Sequence, residues 1–251
     1  MAKGPVATEQ RMSGPPWLGG YTLRRSRRAK RVLLKISGDR RLTAVIPWSF
    51  RTRRLAAYLD ELLESRRGWI ESTLRKREEL RRALGSEQAP WPAEIVFPAL
   101  ERAWPVLYET GPGPGARWRL VEGGLRVSSP DWERAAGALV AFGRSRAKAE
   151  LPVWLGRLAE EQGLALSRVS IRGQRSRWGS CSRRGALSLN WKLLFLPPAL
   201  CRYVLLHELA HLKHLNHSPA YWAELHSWEP AALELDRELR QGWAHVPAWA
   251  E

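Results

Sequence analysis

The stretch His207-Glu208-Leu209-Ala210-His211-Leu212-Lys213-His214-Leu215-Asn216-His217 holds four of the six histidines of this chain. Its start, HELAH, matches H-E-x-x-H. On a helix, residues four apart stack on one face, so His207 and His211 can both bind one ion. Glu208, turned about 100° away, then stands beside a remaining coordination position. This arrangement suits hydrolysis. An ion such as Zn2+ with three protein ligands lowers the pKa of a water toward about 7, and a neighbouring carboxylate takes its proton. Tyr203, Val204, Leu205 and Leu206 precede the motif and predict a largely buried helix. A His-Glu-His cluster buried there without a metal or other partner would be costly.

The third ligand must come from elsewhere. His214 lies seven residues after His207, roughly 10 Å along a continued helix, which is too far for nitrogens that must approach one ion to about 2 Å. His217 is favoured because the chain can turn before it. Asn216 tolerates the left-handed conformation that ends helices, and Ser218-Pro219 suits the cap and first position of the next helix. Its spacing is also that of the H-E-x-x-H-x-x-G-x-x-H class. Glu224, His226 and Glu229 are the alternatives on that following helix. Cys181 as a fourth ligand would close the site.

The approach to this cluster is basic. No acidic residue lies between Glu161 and Glu208, whereas eight basic residues do: Arg168, Arg172, Arg175, Arg177, Arg183, Arg184, Lys192 and Arg202. Arg175, Arg177 and Asn190 are candidates for binding a substrate carboxylate or phosphate, or for stabilising an oxyanion. The opposite expectation, ion pairs with the acidic face of the last helix, is as natural for any single arginine. Trp178 and Cys181 read as packing residues at a tight Gly179 turn.

The elements that must position these groups follow from periodicity. Residues 1–16 read as a disordered tail, and the fold starts near Trp17. Tyr21–Arg25, Arg31–Ile36 and Leu42–Pro47 read as strands, the last two joined by a Ser37-Gly38-Asp39-Arg40 turn. Leu55, Leu59, Leu62, Leu63, Ile70 and Leu74 then repeat at helical spacing. After a connector at Gly85–Ala93 come strands at Val106–Glu109, Trp118–Val121 and Leu125–Val127, with a Gly111–Gly115 loop between. From Asp131 the pattern is helical, with a break at Pro152 and an end at Gly163. Val169–Arg172 and Ala186–Asn190 are strands, and Pro197-Pro198 opens the helix through HELAH. The edge of Ala186–Asn190 would suit pairing with an extended peptide. The expected division is 17–130 as a β-rich region, 131–240 as the core carrying the site, and 241–251 as a tail.

Composition excludes several classes. A chain of 251 residues, 44% hydrophobic, has ample material for a core. Without a membrane-length apolar run or a signal-peptide h-region at its start, it is expected to be cytoplasmic. The two cysteines offer neither a disulfide framework nor a C-x-x-C zinc site. The net charge of +16 is uneven: residues 1–130 hold 25 basic and 13 acidic residues, and 131–251 hold 16 and 12. That field favours an anionic ligand such as a nucleotide or nucleic acid, although a solvated basic face would look the same. The fourteen tryptophans are spread along the chain, which suits packing better than base stacking.

The segments RGQRSRWGSC, ALSLNWKLLFLPP, YVLLHELAHLKHLNHS and the following YW occur in an order that resembles the YgjP-like metallopeptidase family, a zincin-type group related to SprT-like proteins. YTLRRSRRAKRVLLKI and the later RRGWI extend the resemblance over roughly residues 21–240. It implies zinc on His207, His211 and His217 with Glu208 as base. It also implies an α+β fold, in which a zincin-like core packs its active-site helix on a small antiparallel or mixed sheet, after a β-rich region with one or two helices. Two departures are Tyr221, where Phe is common in the family, and Arg40, where Gly often follows the aspartate of the first hairpin.

The expected function is therefore a zinc-dependent hydrolase acting on a peptide or protein. The alternatives are a phosphate-anhydride or nucleotide hydrolase, and a non-catalytic nucleic-acid-associated protein with structural zinc.

Overall fold

The computed structural model describes residues 9–27, 29–36, 42–51, 54–83, 92–111 and 113–250. The chain divides into two compact units, Met1–Leu80 and Arg81–Glu251.

In the first unit, strands β1 (Glu9–Ser13), β2 (Gly20–Ser26), β3 (Leu33–Ile36) and β4 (Leu42–Pro47) form one sheet of order β1-β2-β4-β3. β3 and β4 pair antiparallel as the sequence predicts, while the turn expected at residues 37–40 lies outside the described residues. β1 falls within the expected tail. It forms because β2 has an open edge, and its residues take up that edge from Glu9 opposite Arg24 to Ser13 opposite Gly20. Helices α1 (Leu55–Ser65) and α2 (Arg67–Ala83) follow. Leu59, Leu63 and Ile70 close a core with Tyr21, Leu23, Leu42, Ala44 and Ile46.

The second unit begins with β5 (Glu94–Phe97), β6 (Arg102–Glu109), β7 (Arg117–Val121) and β8 (Gly124–Ser128), a sheet of order β5-β6-β8-β7. The sequence places these strands in one region with the first hairpin. The structure instead buries Ile95, Phe97, Val106, Leu125 and Val127 in the same core as the HELAH helix, because their apolar face packs there. Helix α3 (Trp132–Glu161) is continuous for 30 residues, with Pro152 inside it. A proline normally breaks a helix by removing one hydrogen bond. Here Phe142, Ala147 and Leu151 before it and Leu155, Leu158 and Ala159 after it are buried along one helix, and that packing carries the helix through. Asp131 caps its start through Arg134 N, and Gly163 beyond its end takes φ +64, as a helix-ending glycine should.

A three-stranded sheet, β9 (Arg168–Arg172), β10 (Gly179–Cys181) and β11 (Ala186–Asn190), has the order β10-β11-β9, with β10 antiparallel and β9 parallel to β11. Two expectations change here. Gly179 lies in a strand rather than a tight turn. β11 is flanked on both sides, so the outer edge toward the site belongs to β10. A 3-10 turn at Trp191–Phe195 leads to α4 (Pro198–Ala210), α5 (Pro219–Trp228) and α6 (Ala232–Leu239). Residues 242–250, expected as a tail, form two further 3-10 turns because Trp249 and Ala250 insert into the core. The fold is α+β, with α4 packed against the small mixed sheet and α5 and α6. Among the described residues no helix is long and apolar enough to cross a membrane.

Candidate metal centre

Pro198 starts α4 at the position where a missing N–H costs nothing. Leu200, Cys201, Tyr203 to Leu206, Leu209 and Ala210 bury the helix nearly all round. The α-helix ends at Ala210, with His211 as its cap residue at φ −69° and ψ −10°. Leu212 N and His214 N still donate to Leu209 O and Ala210 O, at 2.9 and 3.0 Å, so the chain leaves the helix through a tight turn. Glu101 is the non-glycine residue with positive φ among the described residues, so Asn216 does not supply the expected left-handed bend. The reversal has already begun five residues earlier. Ser218 and Pro219 then open α5 as expected, the Ser218 hydroxyl accepting from Tyr221 N.

This reversal brings His217 back to His207 and His211. Their ligand nitrogens all lie within 4.8 Å of one another, and among the described residues this is the cluster able to hold a metal ion. Nε2 of His207 and Nε2 of His217 are 3.3 Å apart. Two nitrogens about 2.1 Å from one ion at a tetrahedral angle are separated by about 3.4 Å, so the donors fit a zinc-type ion. His211 directs Nδ1 at the main-chain oxygen of His214, 2.8 Å away, leaving its Nε2 for the cluster. Burial and the two neighbouring imidazoles push the His207 pKa down to about 3, which keeps the ring neutral and able to donate a lone pair. Burial and the His211 imidazole lower that of His217 as well.

Glu208 is 4% exposed, and its Oε2 is buried without a hydrogen-bond partner among the described residues. Burial raises its pKa to about 8, opposed by the charge of Arg177. An unpartnered buried carboxylate oxygen beside three convergent imidazoles is the donor set a cation and a water would satisfy.

The other candidates separate by role. Arg175 and Arg177 are exposed on the loop before β10. Asn190 does not face substrate: it is fully buried, and its Nδ2 donates to Gln174 O and Arg177 O at 2.7 and 3.0 Å. Its Oδ1 accepts from Lys192 N. Its amide is spent on holding the loop that carries both arginines. Cys181 donates to Ser182 O and is not part of the histidine cluster. Glu224 pairs with Lys213 and lies 3.6 Å from His214 Nε2. Glu229 pairs with Arg202, and His226 is exposed. None of these alternatives joins the cluster.

Sequence reasoning missed the roles of three residues. The buried Tyr221 ring stands 4.8 Å from His211, 4.8 Å from His217 and 5.5 Å from His207, centroid to centroid. It is a common wall for all three imidazoles. The local signal for it was its place three residues after the Ser218 cap. Asp236, on α6, accepts from the Tyr203 hydroxyl at 3.2 Å and acts electrostatically on His207 and His217. It reads in sequence as one more charge on an amphipathic helix. Gly179 lies against Glu208, a closeness no local pattern announces.

A helix-borne His-Glu-x-x-His with a third imidazole returning from the next turn defines the site of a metal-dependent hydrolase. The chain belongs to the YgjP-like family, whose metallopeptidase-domain model matches residues 30–242. It is similar to the crystal structure of the metallopeptidase zymogen of Pyrococcus abyssi abylysin, with 30% identity over 35% of this chain and 90% of that one, at a TM-score of 0.32. A second similar structure is the metallopeptidase zymogen of Methanocaldococcus jannaschii jannalysin, with 22% identity, the same coverage and a TM-score of 0.32. No curated protein matches.

Proposed function

We propose that this protein is a zinc peptidase with His207, His211 and His217 as metal ligands and Glu208 as general base. The observation that carries this reading is the gathering of three imidazoles next to a buried carboxylate with an unpartnered oxygen. The membership of a metallopeptidase family supports it.

A zinc ion held by the three imidazoles would supply Lewis acidity to water and to the scissile carbonyl. Glu208 takes a proton from the attacking water, whose oxygen bonds to the carbonyl carbon. As the C–N bond breaks, Glu208 returns that proton to the leaving nitrogen. The surrounding apolar residues exclude bulk water from the carboxylate. The outer edge of β10 offers main-chain groups to an extended peptide. Arg177, whose charge reaches Glu208, adds a positive field for an oxyanion or a substrate carboxylate. Arg175 extends that basic rim.

The test is a side-by-side cleavage screen of the zinc-loaded wild type and Glu208→Gln on casein and on nucleotides. Proteolysis by the wild type, lost by at least ~100-fold in a variant that keeps its zinc, is the expected result. Full activity in the variant, or nucleotide hydrolysis without proteolysis, overturns the reading.

A further inference from the structure

β10 presents Gly179 directly to the carboxylate of Glu208. A Cβ built on Gly179 would stand 2.6 Å from Glu208 Cγ and Cδ, and closer still to Oε1. Real side-chain carbons do not approach so closely, so no side chain fits beside Glu208 in its present conformation. The reason for glycine here is space rather than backbone freedom, since Gly179 is not among the residues with positive φ. It sits in a regular ladder, opposite Leu189. In such a strand alanine would ordinarily be the more stable choice.

The surroundings fix where the carboxylate can go. Glu208 is almost fully buried on α4, which packs against β10. On the far side, Trp178 turns into the core and stacks on Trp243 at 4.2 Å, so β10 cannot readily back away. Asn190 N donates to Trp178 O at 2.8 Å, extending the ladder and holding that strand against β11. Side chains alternate along a strand, so Cys181 shares the face of Gly179, while Arg177 lies on the loop just before that strand. Both of these interact electrostatically with Glu208, in keeping with that geometry. Any added atom at position 179 must therefore be relieved by the Glu208 side chain, the flexible partner of the pair.

We infer that Gly179 is a positioning residue: its missing side chain forms the slot that holds the Glu208 carboxylate in its working place. The inference rests on the peptidase reading for its effect on rate, but not for the steric pairing itself. A larger residue at 179 leaves the metal ligands untouched and displaces the base.

Two measurements test it. The first is thermal unfolding of chelated, metal-free protein in a cycle of Gly179→Ala and Glu208→Ala. Gly179→Ala should lower Tm by a few degrees when Glu208 is present, and should leave Tm unchanged or raise it in the Glu208→Ala background. Equal effects in both backgrounds overturn the pairing, whether or not any substrate is ever cleaved. The second is steady-state proteolysis with zinc content measured on the same samples. Gly179→Ala should retain one zinc and lose at least tenfold in kcat with little change in KM. Adding Glu208→Asp, whose carboxylate is retracted by one methylene, should cost far less in the Gly179→Ala background than in the wild type. Additive losses, or an undiminished kcat in Gly179→Ala, overturn the positioning role. If the wild type cleaves no peptide, the peptidase reading fails and the thermal cycle still decides the pairing.

Discussion

His211 turns its Nδ1 to the main-chain oxygen of His214, 2.8 Å away, so the histidine that stands outside the cluster of His207, His211 and His217 orients one of its members. An imidazole whose one nitrogen donates to a carbonyl presents the other as a lone pair in a fixed direction. This contribution belongs to the backbone turn and not to the His214 side chain, which faces Glu224.

That distinction predicts opposite results for neighbouring histidines. His214→Ala should change zinc affinity by no more than a few-fold. His217→Ala should lower it beyond the roughly 10–100-fold typical of losing an outer partner. Competition titration against a zinc chelator checks both. Tight zinc binding by His217→Ala would remove that residue from the ligand set.

How far sequence carried the site follows from these residues. His207, Glu208 and His211 are legible because one helix fixes their spacing, and His217 because cap residues mark the turn before it. Ser218 and Pro219 do open α5, yet the chain reverses at His211 to His214 rather than through Asn216, since the helix was already ended by its own last turn. Gly179, Tyr221 and Asp236 were not legible, because each meets the site through tertiary packing between elements separated in the chain. Asn190 shows the same limit from the other side: its polarity and place suggested substrate, but full burial commits its amide to the loop of Gln174 and Arg177. In the fold, alternation revealed most strands, while the continuity of α3 through Pro152 depended on packing that no local rule contains.

Tyr221 predicts a separation of ring from hydroxyl. Its ring walls all three imidazoles, whereas its hydroxyl donates one long bond, 3.3 Å, to His207 O. Tyr221→Phe should cost about 1 kcal/mol or less of stability and retain zinc. Tyr221→Ala should cost about 3–5 kcal/mol and weaken zinc binding, because the cavity would open directly beside the three imidazoles. Denaturant unfolding with and without zinc distinguishes the two, and an equal loss in both variants would assign the effect to the hydroxyl.

The pH dependence of the metal-free protein follows from two groups displaced in opposite senses. Glu208 is raised by burial from 4.5 to about 8, so the folded state holds its proton more tightly than the unfolded state. Its contribution to stability is complete below pH 4.5 and is lost as pH rises to about 8. His207 is lowered from 6.5 to about 3, so its contribution is complete above pH 6.5 and is lost as pH falls toward 3. His217 acts in the same sense as His207. Between pH 4.5 and 6.5 the Glu208 and His207 slopes oppose each other, and above 6.5 only the Glu208 loss remains. Chelated wild type should therefore lose Tm between pH 6.5 and 8, and Glu208→Gln, which has no proton to lose, should not. A decline of equal size in both proteins would place its origin outside Glu208. Zinc should remove the decline in the wild type, because a dication beside the carboxylate favours its charged form.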